Sequence, residues 1–280
     1  MIFKTDFRIF YVIVIVSILF YSCDEVTDEE ETILYERVKV NLESNNLDSS
    51  IFYLKKLVVI NPENAKYHSD LGAIEGKLGN FEIALEHINK AILLDSNFIM
   101  AYLNRSDISY KTKNMDMYLL DYKMLVKRDA RNIEYPIKLA AGYYSLKDYE
   151  NSLLWIDRAL LIDLENESAL DKKIQIYNAL KNYAEAIKTA SYLININDKN
   201  RPAYMLRAYA FANSGQLDSA IMDIKVVEKL DTLYETTALI NLARIYGRLK
   251  DVISCKYLNL AITKTGHKAT EQELKDFCPD

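Results

Sequence analysis

The chain has 280 residues, half of them apolar, and a formal charge of −5 at neutral pH. This apolar content is enough for a continuous core, and the lysines and arginines are scattered rather than striped, which argues against nucleic-acid binding. Cysteine is scarce, at positions 23, 255 and 278, and no Cys-x-x-Cys pair is present.

Lys4 and Arg8 precede an apolar run from Ile9 to Phe20 that only Ser17 interrupts. The run is too short to span a bilayer but suits the apolar region of a secretory signal. It ends in Leu19-Phe20-Tyr21-Ser22-Cys23, which resembles the lipobox of bacterial lipoproteins in layout, although Phe20 and Tyr21 depart from its usual residues. The resemblance implies a signal peptide over residues 1–22 and a palmitate-bearing lipid anchor on Cys23. The acidic stretch that follows, residues 23–30, reads as a solvated tether. It is similar to the export signals of surface lipoproteins in the Bacteroidota, which implies an outer-membrane, lipid-anchored protein facing the periplasm or the cell surface.

Residues 31–64 place Val38, Leu47, Ser50, Leu54 and Leu57 at helical spacing and stop at Asn61-Pro62. The next stretch, residues 65–98, repeats the arrangement: Leu71, Gly72 and Glu75 lie on one helix, Gly79-Asn80 breaks it, and Phe81, Ala84, Ile88 and Ala91 resume it. Small residues at 72, 84 and 91 let two antiparallel helices approach closely. Steps of 34 residues connect Leu47, Phe81, Met115, Tyr149, Tyr183 and Leu217, and likewise Leu57, Ala91, Leu125, Ala159, Leu193 and Val227. The residues Asn46, Asn80, Asn114, Asp148, Asn182 and Gln216 precede the first column and are expected to cap the second helix of each hairpin. A single hairpin cannot cover its own apolar faces and needs copies on both sides.

This pattern resembles the tetratricopeptide repeat (TPR) family, whose signature is matched by Leu71-Gly72, Gly79, Phe81, Ala84, Ala91 and Pro62. The resemblance implies an all-α, right-handed TPR solenoid of about seven helix hairpins with a C-terminal capping helix. The repeats would be 31–64, 65–98, 99–132, 133–166, 167–200, 201–234 and 235–267, with the cap in 268–280. The repeat 99–132 diverges most, carrying Tyr118 and Arg128 where its neighbours have small or apolar residues. In the cap, Leu274 and Phe277 share a face that should pack inward, and a hairpin turning near Gly266 should bring Cys255 alongside Cys278 as a disulfide.

No phosphate loop and no Gly-x-Ser-x-Gly elbow is present, and His68, His87 and His267 have no His or Cys at ligand spacing. The expected protein is therefore non-catalytic, without metal or cofactor. Asn104 matches one place of the family's carboxylate clamp, but Ser69 and Ala73 stand where its partners would be, so a clamp of that kind is not expected. The sequence supports an interaction scaffold or adaptor in the bacterial envelope. The alternatives are a component of an envelope assembly machine (outer-membrane barrel insertion or pilus biogenesis) and, after that, glycan capture or hydrolysis at the cell surface. The binding face is read from the first helix of each repeat, on the side away from its packing residues. It would hold Lys39, Asp70, Lys77, Asn104, Asp107, Tyr110, Lys111, Tyr144, Lys172, Gln175, Tyr209, Asn241, Arg244 and Arg248 as one groove for a protein or peptide segment. Tyr110, Tyr144 and Tyr209 are expected there as residues the core does not need.

Overall fold

The computed structural model describes residues 29–230, 235–248 and 253–278. Cys23, the expected signal segment and most of the tether lie outside the described residues, as does the side chain of Arg248. The described residues form helices and turns, without a strand among them, and none of those helices is long and apolar enough to cross a membrane. The chain divides into two compact units, residues 1–128 and 129–280.

The first unit pairs its helices into three hairpins: α1 (29–43) with α2 (Leu47–Ile60), α3 (Ala65–Lys77) with α4 (Phe81–Leu94), and α5 (Ile99–Lys111) with α6 (Met115–Arg128). The second pairs α7 (Glu134–Ser145) with α8 (Tyr149–Leu160), α9 (Glu167–Ala179) with α10 (Tyr183–Ile196), α11 (Arg201–Asn213) with α12 (Leu217–Leu230) and α13 (Glu235–Arg248) with α14 (Ile253–Thr265). A short α15 (Glu271–Phe277) packs on the last pair. Within each unit a hairpin also packs on its successor through the second helix of one and the first of the next.

The turns inside the first six hairpins are built the same way. Asn45, Gly79, Lys113, Lys147, Lys181 and Gly215, one repeat apart, all have positive φ. The next amide bonds back to a carbonyl five residues earlier, as in Asn114 to Ser109 at 2.8 Å and Asn182 to Tyr177 at 2.9 Å. This left-handed residue at the helix end satisfies carbonyls that would otherwise be orphaned. The expected caps follow it at four places: the side chains of Asn46, Asn114, Asp148 and Asn182 accept from the amides of Ser49, Met117, Asn151 and Glu185. Two do not cap. Asn80 donates instead to the carboxylate of Glu75 at 2.7 Å, because that carboxylate is buried in α3 and needs a donor. The amide of Gln216 donates to the hydroxyl of Ser214 at 3.1 Å.

Close helix approach is strictest at Gly72. A Cβ there would meet Ile88 Cγ1 at 2.6 Å and the Ala84 carbonyl at 2.8 Å. In the divergent repeat Tyr118 is buried, its ring 4.7 Å from that of Tyr122 and 5.8 Å from that of Tyr110. At the C-terminal end Thr270 and Glu273 form a reciprocal capping box that starts α15. Phe277 is buried beside Ala243 and Leu258, and the Ser254 hydroxyl donates to its carbonyl at 2.7 Å. Leu274 does not join it: 42 % exposed, it faces solvent, since a helix this short seats only one side chain in the groove behind Gly247. Cys255 and Cys278 are bonded through their sulfurs, with Cα atoms 4.6 Å apart, and Gly266 adopts positive φ in the segment between α14 and α15.

Candidate functional site

In the first unit five of the seven side chains expected in a groove, Lys39, Asp70, Asn104, Asp107 and Lys111, are held by hydrogen bonds or ion pairs to residues of the same unit. Lys39 pairs with Glu36 at 2.5 Å and Lys111 with Asp107 at 2.7 Å, both along one helix. Asn104 donates to the Ser69 hydroxyl at 3.0 Å. Asp70 is half-buried and accepts from the Tyr35 hydroxyl at 2.8 Å, which ties α3 to α1. Burial raises its carboxyl above the usual range, and the Tyr35 bond and Lys66 partly offset this. Lys77 and Tyr110 are exposed.

In the second unit the first helices of consecutive hairpins frame two depressions. Tyr144 of α7, Gln175, Asn178 and Ala179 of α9, and Leu206 and Tyr209 of α11 line the first, of about 230 Å³. The second, of about 80 Å³, lies between Tyr209 and Met205 of α11 and Asn241, Arg244 and Ile245 of α13. Tyr209 stands between the two and is 54 % exposed. Tyr144 lines the first depression but is not spared by the core. It is half-buried, packs on the core and lies 5.3 Å from the ring of Tyr149, so it serves packing as well as the surface. Burial raises its phenol pKa, with Tyr149 and Tyr209 adding to the shift.

The polar residues here form a ladder along α9. Lys172 Nζ donates to Gln175 Oε1 at 2.9 Å and sits 5.4 Å from the centre of the Tyr144 ring. Gln175 Nε2 donates to Asp171 Oδ2 at 3.1 Å, and Asn178 Nδ2 to the Leu206 carbonyl at 3.0 Å. Burial lowers the Lys172 pKa and raises that of Asp171. Asp171 Oδ1 and Asn178 Oδ1 are buried without a hydrogen-bond partner. Arg244 donates to Asn241 Oδ1 at 3.1 Å.

Two features escaped the sequence reading. His68 and His87 come together from α3 and α4, Nδ1 to Nδ1 at 3.2 Å, while His68 Nε2 meets the Pro62 carbonyl at 3.0 Å. They belong to one hairpin, so helix packing joins what ligand spacing along the chain does not reveal. No group of three or more His, Cys, Asp or Glu suited to a metal occurs among the described residues. The second is a larger groove, of about 840 Å³, between α8 and α10, where Leu161, Leu164 and Tyr192 are exposed. Lys173 bonds Asp157 across it at 2.7 Å.

No protein-family model matches the chain. Among curated proteins it is 26 % identical over 199 residues to the BBSome complex member BBS4 of Bos taurus. It is also 26 % identical over 221 residues to a TPR repeat-containing protein of Methanocaldococcus jannaschii. These matches cover 69 % and 75 % of the chain but 37 % of each relative, so the chain spans little more than a third of their length. Among solved structures it resembles the C-terminal part of a TPR repeat-containing protein from Cytophaga hutchinsonii (TM-score 0.70, 14 % identity, 86 % of this chain and 98 % of that one). A TPR protein from Parabacteroides merdae gives a TM-score of 0.65 at 19 % identity, over 89 % of this chain and 97 % of that one. The fold is that of the TPR proteins. A further TPR structure, YrrB, which has an unusual peptide-binding site, gives 0.53 at 15 % identity over 64 % of this chain and 92 % of its own. In TPR terms the two depressions lie between first helices of successive repeats, the helices from which the sequence analysis built its binding face.

Proposed function

We propose that this chain is a non-catalytic protein–protein interaction scaffold, held by a lipid on Cys23 at the outer membrane of a bacterial envelope. One observation carries the binding part: Tyr209 projects, more than half exposed, between two depressions rimmed by Gln175, Asn241 and Arg244. An amphipathic aromatic and an arginine at the edge of a concave site are the side chains that contribute most when a partner desolvates them. The peptide-binding site of YrrB supports a peptide or protein segment as the ligand. The anchor rests on the succession of Lys4, Arg8, the apolar run and Cys23.

The test uses the full chain in a Gram-negative host with a photo-cross-linking residue in place of Tyr209. A discrete covalent adduct with one protein supports the scaffold, and irradiation that yields none rejects it. Palmitate labelling that disappears in Cys23→Ala supports the anchor; an intact mass equal to the unmodified mature chain rules it out.

A further inference from the structure

His68 and His87 face each other in a geometry that suits more than a hydrogen bond. His68 is 6 % exposed and its Nε2 meets the Pro62 carbonyl at 3.0 Å, so the proton of that ring is on Nε2 and Nδ1 keeps its lone pair. A bond of this kind from the second ring nitrogen to a backbone carbonyl is what orients metal-ligating histidines, because it fixes both the tautomer and the plane of the ring. Nδ1 of His87 lies 3.2 Å from Nδ1 of His68. Two nitrogens bound to one tetrahedral cation at about 2.0–2.1 Å each are about 3.3 Å apart, so a single ion spans this pair without either helix moving.

The fold holds the two rings in place. His68 lies one turn before Gly72 on α3 and His87 directly before Ile88 on α4, and Gly72 and Ile88 mark the close approach of the two helices. Glu75, Glu86 and Lys55 all act on His87 electrostatically. Lys55 is itself 3.8 Å from the Glu75 carboxylate, which leaves the charge of Glu86 in favour of a cation. His87 is half-buried, so water reaches the pair from its side. No third His, Cys, Asp or Glu among the described residues is grouped with them, and water completes the coordination. Imidazole nitrogens prefer Zn²⁺ and Cu²⁺ to the oxygen-seeking Mg²⁺ and Ca²⁺.

We propose that His68 and His87 form a site for a late first-row divalent cation, Zn²⁺ or Cu²⁺, bound through both Nδ1 atoms. On binding, the cation sheds two waters, and the His87 proton that bridges the pair moves from Nδ1 to Nε2, so both imidazoles stay neutral. Cation and bridging proton therefore exclude each other. The site lies within one hairpin and goes beyond the interaction-scaffold reading.

The experiment titrates Zn²⁺ near neutral pH into the full chain, freed of metal by chelation, in competition with a fluorescent zinc indicator. The wild type takes up one Zn²⁺ per chain with micromolar affinity, and Ca²⁺ does not displace it. His87→Gln weakens binding at least about tenfold with unchanged circular dichroism. His68→Gln does the same, its side-chain amide still donating to the Pro62 carbonyl; should that buried substitution unfold the chain, His87→Gln decides alone. His267→Gln, in the second unit, leaves the affinity unchanged. With Cu²⁺ as the probe, the electron paramagnetic resonance spectrum shows hyperfine splitting from two nitrogens in the wild type and from fewer in His87→Gln. Lack of micromolar Zn²⁺ binding, affinity retained in His87→Gln, or a wild-type Cu²⁺ spectrum with fewer than two nitrogens overturns the proposal.

Discussion

Arg207 of α11 grips Asp223 of α12 through two parallel hydrogen bonds, Nε to Oδ2 at 2.8 Å and Nη2 to Oδ1 at 2.7 Å, and its Nη1 reaches the Ser191 hydroxyl of α10 at 2.9 Å. One guanidinium thereby ties both helices of its own hairpin to the hairpin before. The first unit contains the same device: Arg105 bonds Asp121 through Nε and Nη2, and Asn89 through Nη1 at 2.7 Å. In both, the arginine lies 16 residues from each partner. Of the two repeats between them, 133–166 has Leu139 and Trp155 in the corresponding places and 167–200 has Lys173 and Thr189; neither pair can form the fork, and in the second the groove between α8 and α10 opens.

Removing one member of a buried, bidentate pair strands the other charge. Asp223→Leu is therefore expected to destabilise the second unit by about 3 kcal/mol, and the double substitution Arg207→Met with Asp223→Leu by less, because no charge is left unpaired. Urea unfolding followed by circular dichroism measures both. A single variant no less stable than the double would show that the fork is not what holds the hairpins together.

The hairpin turns offer a gain in stability. Lys113, Lys147 and Lys181 stand at positive φ, where Gly79 and Gly215 occupy the equivalent places. A side chain in the left-handed region costs about 1 kcal/mol relative to glycine, partly offset by glycine's greater freedom when unfolded. Lys147→Gly should raise the stability by about 0.5 kcal/mol, and the three replacements together by about three times that, the sites being too far apart to couple. A fall in the thermal midpoint would mean that the lysine stems contribute packing that outweighs the strain.

These relationships were unequally legible in the sequence. The 34-residue period was visible because each repeat must present the same apolar faces to its neighbours, so Leu47, Phe81 and Tyr149 recur in register. The 16-residue spacing of arginine and aspartate was also in the sequence, but it recurs in only two repeats and does not stand out until the helices are packed. The burial of Asp70 and the half-burial of Tyr144 depend on how far each first helix is rotated, which a helical wheel resolves only coarsely. His68 and His87, 19 residues apart, meet because α3 and α4 cross in close contact at Gly72. Nothing in the spacing of two histidines announces that.

The histidine pair makes stability depend on pH. His68 Nε2 donates to the Pro62 carbonyl, so its Nδ1 accepts from His87 Nδ1–H. Burial, then the neighbouring His68, lowers the pKa of His87; Lys55 acts in the same sense, and Glu86 and Glu75 oppose it. A folded pKa below the unfolded value of about 6.5 means that the unfolded chain binds more protons, so the contribution is complete above that pH and is lost as the pH falls through and below it. Thermal midpoints are expected to drop between neutral and mildly acidic pH, and His87→Gln to flatten that dependence. An unchanged slope in His87→Gln would assign the acid sensitivity elsewhere.

The disulfide between Cys255 and Cys278 closes a loop across a sequence separation of 23 and fastens α15 onto α14. By the chain-entropy argument, a loop of this size contributes about 3 kcal/mol to the structure that contains it. Each repeat packs on its neighbours alone, so the effect should stay near the C-terminal end. Under reducing conditions, or in Cys255→Ser with Cys278→Ser, amide exchange should accelerate in residues 253–278 and remain unchanged in α7 to α9. Phe277 should lose its protection first, since only α15 carries it into the pocket beside Ala243 and Leu258. Non-reducing peptide mapping checks the bond itself in protein purified from an oxidising envelope. Recovery of both cysteines as free thiols would refute the pairing, and uniform exchange on reduction would show that the cap is held by Phe277 and the Ser254 hydrogen bond without help from sulfur.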